Sequence, residues 1–334
     1  MSKYIQELKA DKVSLESYLK KQDWLQPDEK LTGFEVPGEG NMNLTLRIKT
    51  HKRSFIIKQS RDYVEKYPQV AAPAERALRE AAFYQLISGE DKLKKKTPQL
   101  FGVDHQNHVL FLEDLGNGVD YTFLYQKEQH LNDDELEQII AFAAHLHQSV
   151  NTNTTAEKLP NRKMRELNHE HIFIFSYLED NGLNLDDVLP GLQEVGESYK
   201  KDSLLKKEVE KLGQRYLKDG NMLLHGDYFP GSWLKTEDGI KIIDPEFCFF
   251  GEVEFEIGVM LAHLKMANQP EAMLEKALDI YKDLSSIDEA LCRKFMAIEI
   301  LRRMLGLAQL PLSSNLEERK TLLEESRKIL VDAL

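Results

Sequence analysis

Several things are scarce in this chain. Two cysteines, Cys248 and Cys292, in 334 residues are too few for a disulfide framework or a thiolate metal site. No apolar run is long enough to span a bilayer, and the opening residues, MSKYIQELKADKVSL, hold no apolar core of signal-peptide length. A cytoplasmic protein with no membrane partner is expected. Positive charge is in deficit: 44 Lys and Arg face 56 Asp and Glu, for a net charge of −12. That balance argues against a nucleic-acid partner, because phosphate binding needs a basic face. The one basic run, KLKKK at 92–96, reads as a solvated loop ahead of Pro98. Glycine and proline are few, at 18 and 11, and there is no internal repeat or low-complexity segment. An ordinary globular chain of this length has room for two lobes, each with its own core.

What is present begins with a charged, helical stretch over 1–30. In NLTLRIK (43–49), Leu44, Leu46 and Ile48 alternate with Thr45, Arg47 and Lys49, the pattern of a half-buried strand. THKR turns the chain and SFIIK (54–58) makes a second strand. A helix is expected over about 73–88, with Pro73 near its start and Gly89 at its end. FGVD and HVLFLEDL then read as two more strands meeting at a polar turn, 104–107. Beyond residue 115 the patterns become helical, over 132–149, 185–218, 256–283 and 287–334, with a break near 311–315. NTNTTAEKLPN (151–161) is a polar loop.

The exception in the helical part is LLHGDYFPGSWLKTEDGIKIIDPEF (223–247). Asp238-Gly239 is a strong two-residue hairpin signal. If those two residues form the turn, Trp233 faces Asp244 and Ser232 lies beside Pro245. Pro245 biases Asp244 towards an extended backbone, in which Asp244 and Glu246 point the same way. Two carboxylates and a hydroxyl at one edge suit Mg²⁺, which takes one or two carboxylates plus substrate phosphates. Asp227 stands a loop away, able to accept a proton. The plain alternative is a set of solvated carboxylates at a hairpin edge. The flanking apolar runs favour chemistry over it.

HGDYFPGS followed by IIDPEF resembles the aminoglycoside phosphotransferase/choline kinase superfamily. Within it, HGDYFPGSWL, DPEF and RRMLGLAQ (302–309) are most similar to S-methyl-5-thioribose kinases. The resemblance implies an α+β, protein-kinase-like two-lobed fold. A small β-rich nucleotide-binding lobe with one key helix would span 1–115. A larger helical lobe containing the catalytic hairpin and the acceptor site would span 116–334. It also implies an ATP- and Mg²⁺-dependent phosphotransferase acting on a hydroxyl of a small metabolite, with a thioribose-like sugar as the first expectation. Asp227 would be the catalytic base and would meet the acceptor. Asp244 and Glu246 would hold Mg²⁺, with Ser232 standing where most relatives have asparagine. His225 would brace the loop. Glu256 replaces the usual bracing aspartate.

The N-terminal half offers matching parts. EVPGEGNMN (35–43) would bring Gly38, Gly40 and Asn41 near a triphosphate, although G-x-G alone is a weak signal. Lys58 ends a buried strand, where an unpaired ammonium is costly. Glu80 shares the helix face of Phe83, Tyr84 and Ile87, whereas Glu75 does not, so Glu80 is the expected partner of Lys58. HVLFLEDLG (108–116) resembles an adenine-reading hinge, with backbone groups of Glu113 and Leu115 as contacts. Arg302 and Arg303 would meet substrate, or else snorkel. The competing functions are a kinase for an amino alcohol or aminoglycoside, which the acidic balance would suit, and a silent nucleotide-binding protein. A homodimer is the candidate assembly.

Overall fold

Leu44, Leu46 and Ile48 do build a strand, Leu44–Thr50, in the computed structural model of the chain, which describes residues 5–38, 40, 42–156 and 158–332. It is the second member of a five-stranded antiparallel sheet. The spatial order is Leu31–Glu35, Leu44–Thr50, Ser54–Gln59, Val109–Glu113, Leu100–Asp104. The register sets Lys58 opposite Thr45 on one side and Leu110 on the other.

Alternation sends the strand residues to two faces. One face, with Leu46, Ile48, Phe55, Ile57, Val109 and Phe111, packs on Leu15, Tyr18 and Leu19 of the helix Lys12–Lys21. Each such fully buried side chain contributes roughly 1.5–3 kcal/mol. The expected helical stretch over 1–30 is thus one short helix among the described residues, capped by Asp11, whose carboxylate accepts from the Ser14 amide. Lys58 lies on the other side of its strand. The helix Arg76–Leu86 packs against Leu100–Asp104 and Val109–Glu113, burying Arg76, Ala77, Glu80, Ala81, Phe83 and Tyr84.

The chain divides into two units. The first is Met1–Gly118 together with Thr236–Cys248, and the second is Val119–Lys235 together with Phe249–Leu334. The returning piece of the first unit carries the strand Gly239–Ile242 and the short turn Pro245–Phe247, which packs on Arg76–Leu86.

The second unit is mainly helical. Val253–Met266 is buried nearly all round, as the central helix of a bundle must be, and Glu289–Leu305 packs along it. Two of the expected long helices are broken. The run 185–218 becomes Leu192–Lys200 and Ser203–Tyr216, because Asp202 caps the second helix by accepting from the Leu204 and Leu205 amides. The run 256–283 breaks at Asn268, with φ +53, and Pro270. Met222–Leu224 pairs with Phe249–Gly251, which holds both ends of the motif-bearing stretch.

Two local expectations fail. The strands Trp233–Thr236 and Gly239–Ile242 leave Glu237 and Asp238 as the turn residues, one position earlier than Asp238-Gly239. Gly239, with φ +94, occupies the left-handed position that closes a three-residue hairpin loop. Asp244 is not extended. Its φ of +63 and ψ of +48 are left-handed, and Pro245–Phe247 then coils into a 3₁₀ turn, so Asp244 and Glu246 do not share one face of an extended strand.

Candidate active site

In the first unit the sheet and the helix Arg76–Leu86 bring together charged groups that are distant in sequence. Lys58 Nζ lies 2.6 Å from Glu80 Oε2 and 2.6 Å from Asp244 Oδ1. Lys58 is 3% exposed and Glu80 fully buried. Burial disfavours the Lys58 cation, but Asp244, Glu80 and Glu246 outweigh it and hold the ammonium charged. Burial pushes the Glu80 carboxyl up; the Lys58 cation opposes the shift, while Asp244 and Glu246 add to it. One ammonium therefore shares its charge between two acids, and a polyanion nearby would compete with Asp244 for it.

Glu246 has different neighbours. It accepts from Asn43 Nδ2 at 2.7 Å and lies 3.4 Å from Arg76 Nε. Arg76 is fully buried and also donates to Asn43 Oδ1, Met42 O, Tyr63 O, Arg61 O and Pro73 O. Sequence reasoning missed Arg76 and Asn43. The signal for Arg76 was its spacing, four residues before Glu80 on the same helix face. Asn43 stands 203 residues from Glu246 and left no such trace.

These residues fit a nucleotide with a divalent cation. The Asp244 side chain is 54% exposed and offers the hard oxygen that Mg²⁺ prefers. The Glu246 carboxylate is held by Asn43 and Arg76 and would have to loosen to share a cation. Among the described residues no three His, Cys, Asp or Glu side chains form a metal cluster.

Of the glycine-rich loop, Gly38 and Gly40 lie between the strands Leu31–Glu35 and Leu44–Thr50. A Cβ on Gly38 would meet nothing within 4 Å, and one on Gly40 only Asn43 O at 4.0 Å. Packing does not demand glycine there. Asn41 lies outside the described residues. The Glu113 amide donates to Gln99 O at 2.9 Å and is taken up by that contact. Leu115 follows in the irregular segment after that strand. Arg47 steadies this segment through Asp114 at 3.0 Å and the Gly116 carbonyl at 2.5 Å.

The second unit carries Asp227 on a tightly held loop. Gly226, with φ +86, donates its amide to Glu256 Oε2 at 2.7 Å. Glu256 Oε1 lies 2.9 Å from His147 Nε2, and His147 Nδ1 lies 2.7 Å from the Tyr281 hydroxyl. Burial raises the Glu256 carboxyl, but His147, His225 and the Gly226 amide together hold it below its ordinary value. Glu256 thus braces the loop despite its extra methylene. His225 is fully buried, with its Nδ1 3.4 Å from the Asp227 amide. Ser232 is buried, and its hydroxyl donates to Asp227 O at 2.7 Å.

Arg302 and Arg303 converge on Glu299, which the sequence reading did not single out. Arg302 Nε donates to Glu299 Oε2 at 2.7 Å and Arg303 Nε to Glu299 Oε1 at 2.7 Å. His263 Nε2 lies 3.1 Å from the same carboxylate. Burial opposes the charge on Glu299, but the two guanidinium groups and His263 hold the carboxyl well below the usual range.

Solved structures define the fold. The choline kinase from Streptococcus pneumoniae superposes with a TM-score of 0.53 at 14% identity, over 95% of this chain and 99% of its own. Choline kinase from Cryptosporidium parvum Iowa II reaches 0.56 at 12% identity, over 97% of each. Spectinomycin phosphotransferase, in complex with ADP and spectinomycin, gives 0.52 at 16%, over 96% and 98%. The architecture is that of the protein-kinase-like small-molecule kinases.

Residues 33–292 match the Phosphotransferase enzyme family, and the chain belongs to that family. It is similar to the methylthioribose kinase of Geobacillus sp. (strain WCH70), at 24% identity over 87% of this chain and 82% of that one. The corresponding figures are 26%, 77% and 62% for methylthioribose kinase 1 of Oryza sativa subsp. japonica. They are 29%, 71% and 60% for the methylthioribose kinase of Yersinia pestis (strain Pestoides F). The chain thus spans less than two thirds of the last two relatives. No helix among the described residues is long and apolar enough to cross a membrane.

Proposed function

We propose that this kinase transfers the γ-phosphoryl group of ATP to a hydroxyl of a thioribose-like sugar. The nucleotide-binding lobe would span 1–115 and the acceptor-binding lobe 116–334. The observation that carries the phosphotransfer reading is the buried Lys58, shared between Glu80 and Asp244. Phosphoryl transfer needs positioning and charge neutralisation more than covalent help, and an ammonium already poised among carboxylates supplies both. Gly38, Gly40 and Asn41 would approach the phosphates, and the Glu113 carbonyl and Leu115 amide would meet the base. Mg²⁺ would be held by Asp244 and Glu246, with Ser232 nearby in role, and would neutralise phosphate charge.

Asp227 would take the proton of the acceptor hydroxyl as its oxygen forms the new bond to phosphorus and the bond to the departing ADP breaks. Arg302 would face the sugar, with Arg303 beside it in the same pair. The likeness to methylthioribose kinases over 87% of the chain supports the sugar. An amino-alcohol or aminoglycoside acceptor is the second reading, favoured by the choline kinase and spectinomycin phosphotransferase folds and by the net charge of −12. A cytoplasmic setting, a homodimer and the lack of a nucleic-acid partner belong to the same reading.

An acceptor screen over 5-methylthioribose, other sugars, choline and aminoglycosides tests it. Phosphorylation of the sugar is expected, and transfer confined to choline or an aminoglycoside would establish the second reading instead. Asp227→Ala should abolish transfer while ATP still binds. Asp244→Ala should remove the Mg²⁺ dependence of ATP binding in calorimetry, and an unchanged dependence would move the metal elsewhere.

A further inference from the structure

The twin arginines do not have equivalent surroundings. Phe229, two residues after Asp227, meets two side chains of the neighbouring helices. Its ring centroid lies 4.9 Å from that of His263, and Arg303 Cζ lies 5.2 Å from it on its face. Both jaws are tied to one carboxylate: Glu299 Oε1 is 2.7 Å from Arg303 Nε and 3.1 Å from His263 Nε2. Arg303 is further fixed by donating from Nη1 to Ala308 O at 3.3 Å, and His263 by Tyr125, whose hydroxyl lies 2.5 Å from Nδ1.

The backbone of the same loop is closed by Ser232. Its amide donates to Phe229 O at 2.8 Å and its hydroxyl to Asp227 O at 2.7 Å. The ring also folds over Gly231, where a Cβ would come within 2.6 Å of Phe229 Cζ. Where Phe229 sits therefore bears directly on where Asp227 sits.

We propose that Arg303 is a positioning residue for the Asp227 loop, acting through the ring of Phe229, and that Glu299 is the anchor that sets both jaws of the clamp. The assignment rests on Asp227 being the base. It goes beyond a contact with substrate, because it gives Arg303 a role that does not require touching the acceptor. Packing supports it: a cation against an aromatic face is held more strongly as water is excluded, and Arg303 is 7% exposed. A Cβ at 231 would force the ring to shift.

The test uses the full chain, with transfer from ATP to 5-methylthioribose as the probe reaction, or to choline or an aminoglycoside where that sugar is not turned over. Arg303→Lys keeps the charge and loses the fork and the stacking plane. Phe229→Leu removes the ring, and Gly231→Ala displaces it without touching an arginine. Each should lower kcat at least about tenfold while the acceptor KM changes less than about threefold, and Gly231→Ala should match Phe229→Leu. The melting temperature of each variant shows that it is folded; Phe229→Leu and Gly231→Ala are the mild variants should Arg303→Lys not fold.

A raised KM at unchanged kcat for Arg303→Lys would make it a direct acceptor contact and overturn the proposal, as would normal kcat for the Phe229 and Gly231 variants. Asp227→Asn is measured in parallel. If it retains turnover, the base reading has failed; if it is inactive while the clamp variants are fast, only the clamp has. No turnover by the wild type with any of these acceptors removes both.

Discussion

Replacing Glu256 by glutamine isolates the brace beneath the Asp227 loop. The side chain keeps its length and loses its charge. In the wild type one oxygen accepts the Gly226 amide at 2.7 Å and the other meets His147 at 2.9 Å. A hydrogen bond to a charged group contributes about 1.5–3 kcal/mol and a neutral one about 0.5–1.5. Two bonds each weakened by about 1 kcal/mol give a loss of about 2 kcal/mol. For a unit of roughly 200 residues that lowers the melting temperature by about 4–8 °C.

The pH dependence adds a second signature. The folded Glu256 carboxyl sits below its ordinary 4.5, so its contribution is fully present above that value and is lost as pH falls through the folded one. Melting curves of wild type and Glu256→Gln should therefore be separated by a constant gap from pH 8 to 6 and converge below about pH 4.5. Equal melting temperatures at pH 7, or a gap that stays constant into acid, would refute the argument. Glu256→Ala should cost more than the glutamine variant, because it strands the buried Gly226 amide.

Lys58→Ala should destabilise the first unit by about 3–5 kcal/mol in urea titration, since it leaves buried Glu80 without its cation. Adding Glu80→Leu should recover most of that loss, and strict additivity would argue against the pair. His263 is pushed down to about 4 by burial, with Arg303 and Arg302 adding to the shift and Glu299 opposing it. The unfolded chain therefore binds the extra proton between pH 6.5 and 4, and stability falls as pH drops through that window, by about 3 kcal/mol for this group. His263→Gln should flatten that slope, and an unchanged slope would assign it to other groups.

Much of the first unit is legible because its signals are local. Alternating Leu44, Leu46 and Ile48 dictates a strand, and the shared face of Glu80, Phe83 and Tyr84 dictates which acid turns inward. The hairpin is visible in its glycine, yet the turn lies one residue earlier, because Gly239 serves the left-handed closing position. Asp244 misleads for a physical reason. The residue before proline avoids the right-handed helical region, and an aspartate can satisfy that restriction in the left-handed region as well as in an extended strand.

The charge clusters are the least legible part. Arg76 meets Asn43 and Glu246, and Tyr125 meets His263, through contacts that only the folded chain creates. Glu299 lies three and four residues before the arginines it holds, a spacing equally typical of an exposed helix pair. Only its burial marks it as the anchor.

The most direct test of the central claim is phosphorus NMR of the reaction product. Wild-type protein with ATP, Mg²⁺ and 5-methylthioribose should give ADP and a new phosphomonoester of the sugar in equal amounts, and Asp227→Asn should give neither. ATP left intact with every hydroxyl acceptor offered, or the same phosphomonoester formed at wild-type rate by Asp227→Asn, would contradict the account.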